Sequence, residues 1–302
     1  MNGECPFCPG NENHTPKEIA AYRTNGQPPN SPDWLVRVIP ERAPLLQIEG
    51  MIHREGVGMF DKISSRGASE IVVEHPDHGA TWHDLPPGDI ERVLWMYRER
   101  VADLYRDRQI RSILVCRSDG RAGGKITHPY SRIIGAPIIF DHIRHELVTA
   151  RHYFAYKQRC LYCDIVFQES RDGVRVVEHT SQFLVYSPYA SHRPFETWLV
   201  PLTHSHRFED SSVPVMEDLA RTLQRTFRRL HTVQAGIPLE LTLHTAPNAA
   251  IRLRDDEWRT LSEDYHWHIE IAPTGQPQDT LGGFSVNPLP PELAANRLRL
   301  TM

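Results

Sequence analysis

The sequence of 302 residues contains no apolar run approaching the roughly 18 residues of a membrane span. Its first residues, MNGECPFCPGNENH, lack the apolar stretch of a secretory leader. It also lacks a strong charge of either sign. Lys+Arg 34 against Asp+Glu 38 gives a net charge of -4, too little to gather nucleic acid or an acidic membrane. Cysteine is scarce, at five residues. These absences lead to the expectation of a cytoplasmic protein with no nucleic-acid and no membrane partner. In that compartment disulfides are rare, and paired cysteines more often hold metal. With 40% hydrophobic and 24% charged residues, the chain has the composition and length for one large or two medium globular domains.

What is present falls into a repeated order. Residues 1–34 are rich in Pro, Gly and Asn and read as irregular. Residues 34–40 (WLVRVIP) and 69–74 read as strands. From Gly88 to Arg108, apolar residues at Ile90, Val93, Leu94, Tyr97, Val101 and Leu104 have helical spacing, with Pro87 at the start. Strands at 112–116 and 131–139 flank a Gly-rich turn at 119–124. A polar linker is expected from Asp141 to Gln158. Strands at 183–186 and 196–201, a helix from Val213 to Leu230, and strands at 239–243 and 265–271 then follow. Each half thus reads as strands, a long helix and strands again, with the division at 1–140 and 141–302.

Each half also carries the same ordered ligand types. The first has Cys5-x-x-Cys8, then His78, then His128; the second has Cys160-x-x-Cys163, then His204, then His266. In both, one histidine precedes the long helix and one follows it. Two thiolates and two imidazoles are the ligand set of a closed zinc site, which would pin the loop-rich N-terminus to the core. A lone Cys-x-x-Cys would equally fit a thiol redox pair; the duplication favours metal. Spacing leaves His206 open beside His204, and His268 beside His266.

The segments CPFCPG (5–10), RVIPERAPLL (37–46), GASEIVVEHPDH (67–78), DGRAGGKITHPYSRI (119–133), RCLYCDI (159–165), RPFETWLVPLTH (193–204), LHTAP (243–247), YHWHIEIAP (265–273) and GGFSVNPLPPELAANRLR (282–299) span nearly the whole chain. In that order they resemble the galactose-1-phosphate uridylyltransferase family of the histidine triad superfamily. The resemblance implies an α+β fold of two fused histidine-triad-like half-domains, with antiparallel sheets and flanking helices. It implies two metal sites, the second holding zinc or iron, to which Glu146 and His244 would also come close. It further implies a homodimer acting on a small-molecule nucleotide or sugar phosphate.

Family members pass a nucleoside monophosphate through a histidine, the second of a His-Pro-His motif. An imidazole nitrogen attacks phosphorus in line, while Gly-turn N–H groups and a glutamine neutralise the phosphoryl charge. Here the motif reads His128-Pro129-Tyr130-Ser131-Arg132. Tyr130 stands at the nucleophile position and Arg132 at the glutamine position. Lys125 replaces the Gly-turn serine, Ser118 an asparagine before that turn, and Glu41 a nucleotide-contacting asparagine. Tyr130, Arg132, Lys125 and His268, the counterpart of Tyr130 in the second half, are the candidate catalytic residues. Glu41, Arg42, Ser118, Gly123, Gly124 and Ser131 are the candidates for nucleotide and phosphate contact. Tyr130 is either a phenolic nucleophile, which needs activation by Lys125 or Arg132 from its ordinary pKa near 10, or a substrate contact or packing residue. The functions open at this point are a transferase acting without a nucleotidyl-histidine, an enzyme turned to other chemistry in specialised metabolism, and a non-catalytic nucleotide-binding protein.

Overall fold

The two halves lay down their strands in one order. In a computed structural model describing residues 5–118, 127–251, 258–274, 279–282 and 284–301, the first half contributes β1 (Ala20–Arg23), β2 (Trp34–Pro40), the hairpin β3 (Arg54–Val57) and β4 (Phe60–Ile63), and β5 (Ala68–Val73). It continues with helix α1 (Pro87–Leu104), β6 (Ser112–Ser118) and β7 (Tyr130–Ala136). Helices α2 (Asp141–Lys157) and α3 (Leu161–Asp172) lead into the second half: β8 (Val176–His179), β9 (Phe183–Tyr186), β10 (Thr197–Pro201), helix α4 (Val213–Val233) and β11 (Leu239–His244). A short α5 (Leu261–Asp264), β12 (His268–Pro273), the hairpin β13 (Asp279–Leu281) and β14 (Phe284–Val286), and α6 (Pro291–Arg299) complete the chain.

Ten strands form one antiparallel sheet in the order β1-β2-β5-β7-β6-β11-β12-β10-β9-β8. Counted outward from the β6/β11 seam, both halves place their fourth, fifth, third, second and first sheet strands in turn. The seam is a ladder pairing Ser118 with Glu240 and Val115 with Leu243.

Alternation divides the side chains between two faces. Val36, Val38, Val72, Val115, Ile133, Leu243 and Ile271 lie in the core built against α1 and α4. The intervening residues face the other way. In the first half Ile39, Ile71 and Val73 meet Phe7 of the N-terminal loop. In the second, Leu184, Tyr186 and Val200 meet Val166 of α3. One face is therefore covered alike in both halves. The other is covered by a loop in the first half and by helices in the second.

Three readings of the sequence change. The stretch from Asp141 to Gln158 is helix, not linker. Ile143, Leu147 and Ala150, spaced four and three apart, form its buried stripe, and Gln158 ends it in the left-handed conformation at φ 54. The surrounding polar residues conceal that narrow stripe. The segment before Trp34 is not wholly irregular, because β1 pairs with β2. The last long strand starts at His268, not Tyr265. Among the described residues no helix is long and apolar enough to cross a membrane.

Candidate metal centres and active-site groove

The first ligand set assembles around a fixed strand end. Glu74 is buried and accepts hydrogen bonds from Trp82 Nε1 at 2.9 Å, Tyr97 Oη at 3.2 Å and Arg117 Nε at 3.1 Å. This anchors the next residue, His75, whose carbonyl accepts from His128 Nε2 at 2.7 Å. That bond fixes the tautomer and leaves Nδ1 for a metal. His128 Nδ1 lies 3.9 Å from Cys5 Sγ and 3.7 Å from Cys8 Sγ, and His78 Nδ1 lies 3.5 Å from Cys8 Sγ. A tetrahedral zinc, with bonds of about 2.3 Å to sulfur and 2.0 Å to nitrogen, sets S and N about 3.5 Å apart. The cysteine loop is held in place by Glu12, whose carboxylate accepts from Gly10 N–H and Trp34 Nε1.

The electrostatics fit a cation. Burial lowers the His128 pKa to about 4, which keeps the imidazole in the neutral, ligating form. Burial, with Cys5 alongside, pushes the Cys8 thiol up to about 11. A bound cation would hold both sulfurs as thiolates.

The second set has the same design on a helix. Cys160 is the N-cap of α3 and Cys163 lies in its first turn, where the helix dipole favours thiolate. Cys163 Sγ lies 3.4 Å from His204 Nδ1 and 3.6 Å from His266 Nδ1, and His204 Nε2 donates to Ser262 O at 3.0 Å. A hydrogen bond from Cys163 holds the Cys160 pKa far below the usual thiol range. The geometry selects His204 and His266 over their neighbours His206 and His268. In each set the four ligand atoms lie within 4.8 Å of one another.

His268 belongs to a third group, with Glu146, His244 and Glu270, whose ligand atoms meet the same limit. It is fully buried between the rings of Tyr162 at 5.0 Å and Trp198 at 5.1 Å. His244 Nδ1 lies 2.7 Å from Glu146 Oε1, and Tyr265 Oη donates to Glu146 Oε2 at 2.9 Å. Burial opposes the charge on Glu146, but His244 outweighs it and holds the carboxyl at about 2. His268 therefore does not face an open groove. The sequence placed Glu146 and His244 near this region but gave Glu270 no part in it; alternation on β12 puts Glu270 on the same face as His268.

The open site lies in the first half. A cavity of about 320 Å³ is bounded by Phe7, Ile39, Glu41, Arg42, Tyr130 and Arg132. Glu41 Oε1 pairs with Arg132 at 3.2 Å, and Ser69 Oγ donates to its other oxygen at 2.5 Å. Arg132 stays about half exposed, with a side-chain accessibility of 48%. The Tyr130 ring meets Phe7 edge-on at 5.7 Å, and the Arg132 guanidinium stands 5.9 Å from its centre. Ser118 pairs with Tyr130 across the β6/β7 ladder.

Ser131 does not reach this groove. It points to the opposite face, 1% exposed, and bonds to Glu74 and Tyr97. Strand alternation separates it from Tyr130 and Arg132 on either side, so the phosphate contact expected of it does not fit its placement. Gly123, Gly124 and Lys125 lie outside the described residues.

Two Cys₂His₂ ligand sets on a twofold-repeated antiparallel sheet, with a groove beside the first, define a duplicated α+β protein with two candidate metal sites. The chain belongs to the galactose-1-phosphate uridyl transferase family. It matches that family's N-terminal domain over residues 2–214 and its C-terminal domain over residues 146–286. It is 26% identical to an ADP-glucose phosphorylase of Arabidopsis thaliana, over 98% of this chain and 81% of that protein. It is 25% identical to a galactose-1-phosphate uridylyltransferase of Thermotoga maritima, over 81% and 77% of the two. The crystal structure of an Arabidopsis thaliana ADP-glucose phosphorylase with bound ADP-glucose superimposes with a TM-score of 0.82 at 24% identity, covering 99% of this chain and 91% of that one. That similarity shows the fold.

Proposed function

We propose that the protein is a galactose-1-phosphate uridylyltransferase-like enzyme acting on a nucleotide or sugar phosphate by direct transfer, without a nucleotidyl-histidine. The observation that carries this reading is the groove itself. Apolar walls from Phe7 and Ile39 run up to a half-exposed guanidinium, Arg132, beside Tyr130. A base or sugar would lie against the walls, and phosphoryl oxygens would take the Arg132 fork. The relative solved with ADP-glucose supports a nucleotide-sugar ligand.

Direct transfer is favoured over a Tyr130 ester by the surroundings of that residue. The contacts found for Tyr130 are ring contacts with Phe7 and Arg132. A phenol needs a base to draw off its proton before it attacks, and among the described residues no hydrogen bond joins the Tyr130 hydroxyl to His14 or Glu41, the basic groups of the same cavity. Arg42 and Ser118 belong to the same proposal as ligand contacts, as do Gly123, Gly124 and Lys125 of the Gly-rich segment.

The ligand sets fit zinc, and we propose zinc at both Cys₂His₂ sites, with iron as the alternative at the second. Cys5, Cys8, His78 and His128 would hold the first ion; Cys160, Cys163, His204 and His266 would hold the second. With four protein ligands each, the ions would supply rigidity rather than an open coordination position. The division at 1–140 and 141–302 is supported by the repeated strand order. A cytoplasmic homodimer without nucleic-acid or membrane partners remains part of this proposal.

The test is incubation with isotopically labelled ADP-glucose and UDP-glucose, followed by intact mass measurement and product analysis. Turnover without an adduct is expected. An adduct on Tyr130 would replace direct transfer with a covalent route. Tight binding without turnover would favour a non-catalytic binding protein. Turnover confined to ligands that are neither nucleotides nor sugar phosphates would favour an enzyme turned to other chemistry.

A further inference from the structure

A second cleft, of about 200 Å³, lies at the other end of β7. Pro137 and Ile139, just past β7, help to form it, whereas Tyr130 at the start of that strand borders the groove. At about 3.3 Å per residue, the length of β7 separates the two sites by roughly 20 Å.

Four arginines line the cleft: Arg54, Arg111, Arg144 and Arg151. Among the described residues no Asp or Glu lines it. The arginines converge from separate elements. Arg54 comes from β3, Arg111 precedes β6, and Arg144 and Arg151 lie seven residues apart on α2. Seven residues are nearly two helical turns, so the last two share a face. Leu147, between them, is buried, and with Ile139 and Trp258 it gives the cleft an apolar floor.

Some solvent-facing arginines elsewhere stand in ion pairs, as Arg159 does with Asp164 and Arg106 with Asp103. Arg54, Arg144 and Arg151 form no ion pair within 4.0 Å among the described residues. Arg151 acts on Asp264 only through its longer-range field. Guanidinium groups gathered without carboxylates repel one another, and the arrangement is relieved when an anion enters.

We propose that this cleft binds a small phosphorylated molecule, with its phosphoryl group held by Arg54, Arg144 and Arg151 and its apolar part against Ile139, Leu147 and Trp258. A carboxylate occupies one guanidinium fork. A phosphoryl dianion has oxygens enough for several and balances more of the charge. The cavity is smaller than the roughly 300 Å³ at which pockets for drug-sized ligands begin, so the occupant is a compact phosphate or diphosphate ester. This site is separate from the groove and does not depend on the function assigned there.

Titration calorimetry with pyrophosphate and with inorganic phosphate tests the proposal. The wild type, Arg144→Gln/Arg151→Gln and the groove variant Arg132→Gln would be compared. Arg144 is exposed and Arg151 partly so, so the double variant should keep its melting temperature. Expected is at least tenfold weaker pyrophosphate binding in the double variant, with binding at the cleft kept in Arg132→Gln. Wild-type affinity should fall steeply with salt. Equal affinity in wild type and double variant would overturn the proposal. Asp255, Asp256 and Glu257 precede Trp258 in the sequence and lie outside the described residues. If pyrophosphate bound only after Asp255→Asn/Asp256→Asn/Glu257→Gln, the chain itself would fill the cleft, and the proposal would fail.

Discussion

The first and second halves diverge most at two matched pairs of positions. Tyr130 on β7 corresponds to His268 on β12, and Arg132 corresponds to Glu270. In the first half these side chains border a groove, with Arg132 about half exposed. In the second half α2 and α3 cover the His268 end of the same face, and His268 is fully buried, while Glu270 borders a cleft it shares with Glu196 and Glu240. One repeat keeps an accessible face for a ligand. The other fills it with mutually neutralising charges. The duplicated scaffold thus repeats its Cys₂His₂ ligand set and varies the positions beside it: an accessible Tyr130 and Arg132 in one half, a buried His268 in the other.

The largest expected effect tests what the clamps have in common. Removing a ligand removes a site whose apparent binding energy is on the order of 10 kcal/mol. Cys5→Ser and Cys160→Ser should each lose one equivalent of metal by elemental analysis. The comparison sharpens in calorimetry. The first clamp holds a loop, whereas the second joins α3 to the strand region at His266 within the buried core. Cys160→Ser should therefore depress the melting temperature more, or abolish soluble protein. A full metal complement in either variant would remove the clamp from the account.

The next effect tests the sealed face. Breaking a buried ion pair by removing one partner costs roughly 3–5 kcal/mol, and Glu146→Gln does this to His244. The pH dependence in metal-free protein has a defined sign. Glu146 is held at about 2 against an ordinary 4.5. Its contribution is complete above 4.5 and fades as pH falls toward 2. His244 is raised above 6.5, because Glu146 outweighs the opposing effect of burial. Its contribution is complete below 6.5 and is lost as pH rises through the folded value. The stability gap between wild type and Glu146→Gln should be widest between about pH 4.5 and 6.5. A gap that is constant from pH 3 to 8 would show that the pair is not charged.

How far the sequence revealed this contrast depends on periodicity. The eight inner strands of the sheet and the two long helices were legible, because buried faces repeat every two residues or every three to four, whereas the edge strands β1 and β8 and the two small hairpins were not. Both cysteine pairs were legible because their order is duplicated. The helix from Asp141 to Lys157 was not. Its stripe of Ile143, Leu147 and Ala150 is narrow, and its charged residues, Glu146 among them, have their partners in distant strands. The seal over the second half was therefore invisible from local pattern. The wrong face for Ser131 has a different cause. Alternation along β7 predicts it once Tyr130 and Arg132 are set on the groove side, but the motif alone does not say which residues share a side. The basic cleft was hidden because its arginines come from three separate stretches of chain.

A third test exchanges the matched positions. Tyr130→His should be tolerated, since its ring stands in a groove with room around it. His268→Tyr should cost about 1–3 kcal/mol, the usual penalty for overfilling a packed core, because the ring stack between Tyr162 and Trp198 leaves no space. Chemical denaturation measures both. For activity, Glu41→Asn/Tyr130→His/Arg132→Gln should gain uridylyl or adenylyl transfer over the parent. No gain in either assay would count against a nucleotide in the groove.

The smallest effect isolates the charge pair at the mouth of the groove. Glu41 and Arg132 are 3.2 Å apart and partly solvated, so their mutual coupling should be only about 0.2–1 kcal/mol in a double-mutant cycle. Ligand binding should show them acting in opposition. A phosphoryl group must share Arg132 with Glu41 or displace it. Glu41→Gln should therefore tighten the binding of a nucleotide monophosphate severalfold, and Arg132→Gln should weaken it by about tenfold, the value of one charge-assisted contact. In the double variant Glu41 can no longer compete for a guanidinium that is absent, so its removal should matter little. Equal gains from Glu41→Gln with and without Arg132 would place the phosphate elsewhere in the groove. The contrast between the halves would then rest on access alone, not on the charge that Arg132 brings to the open side.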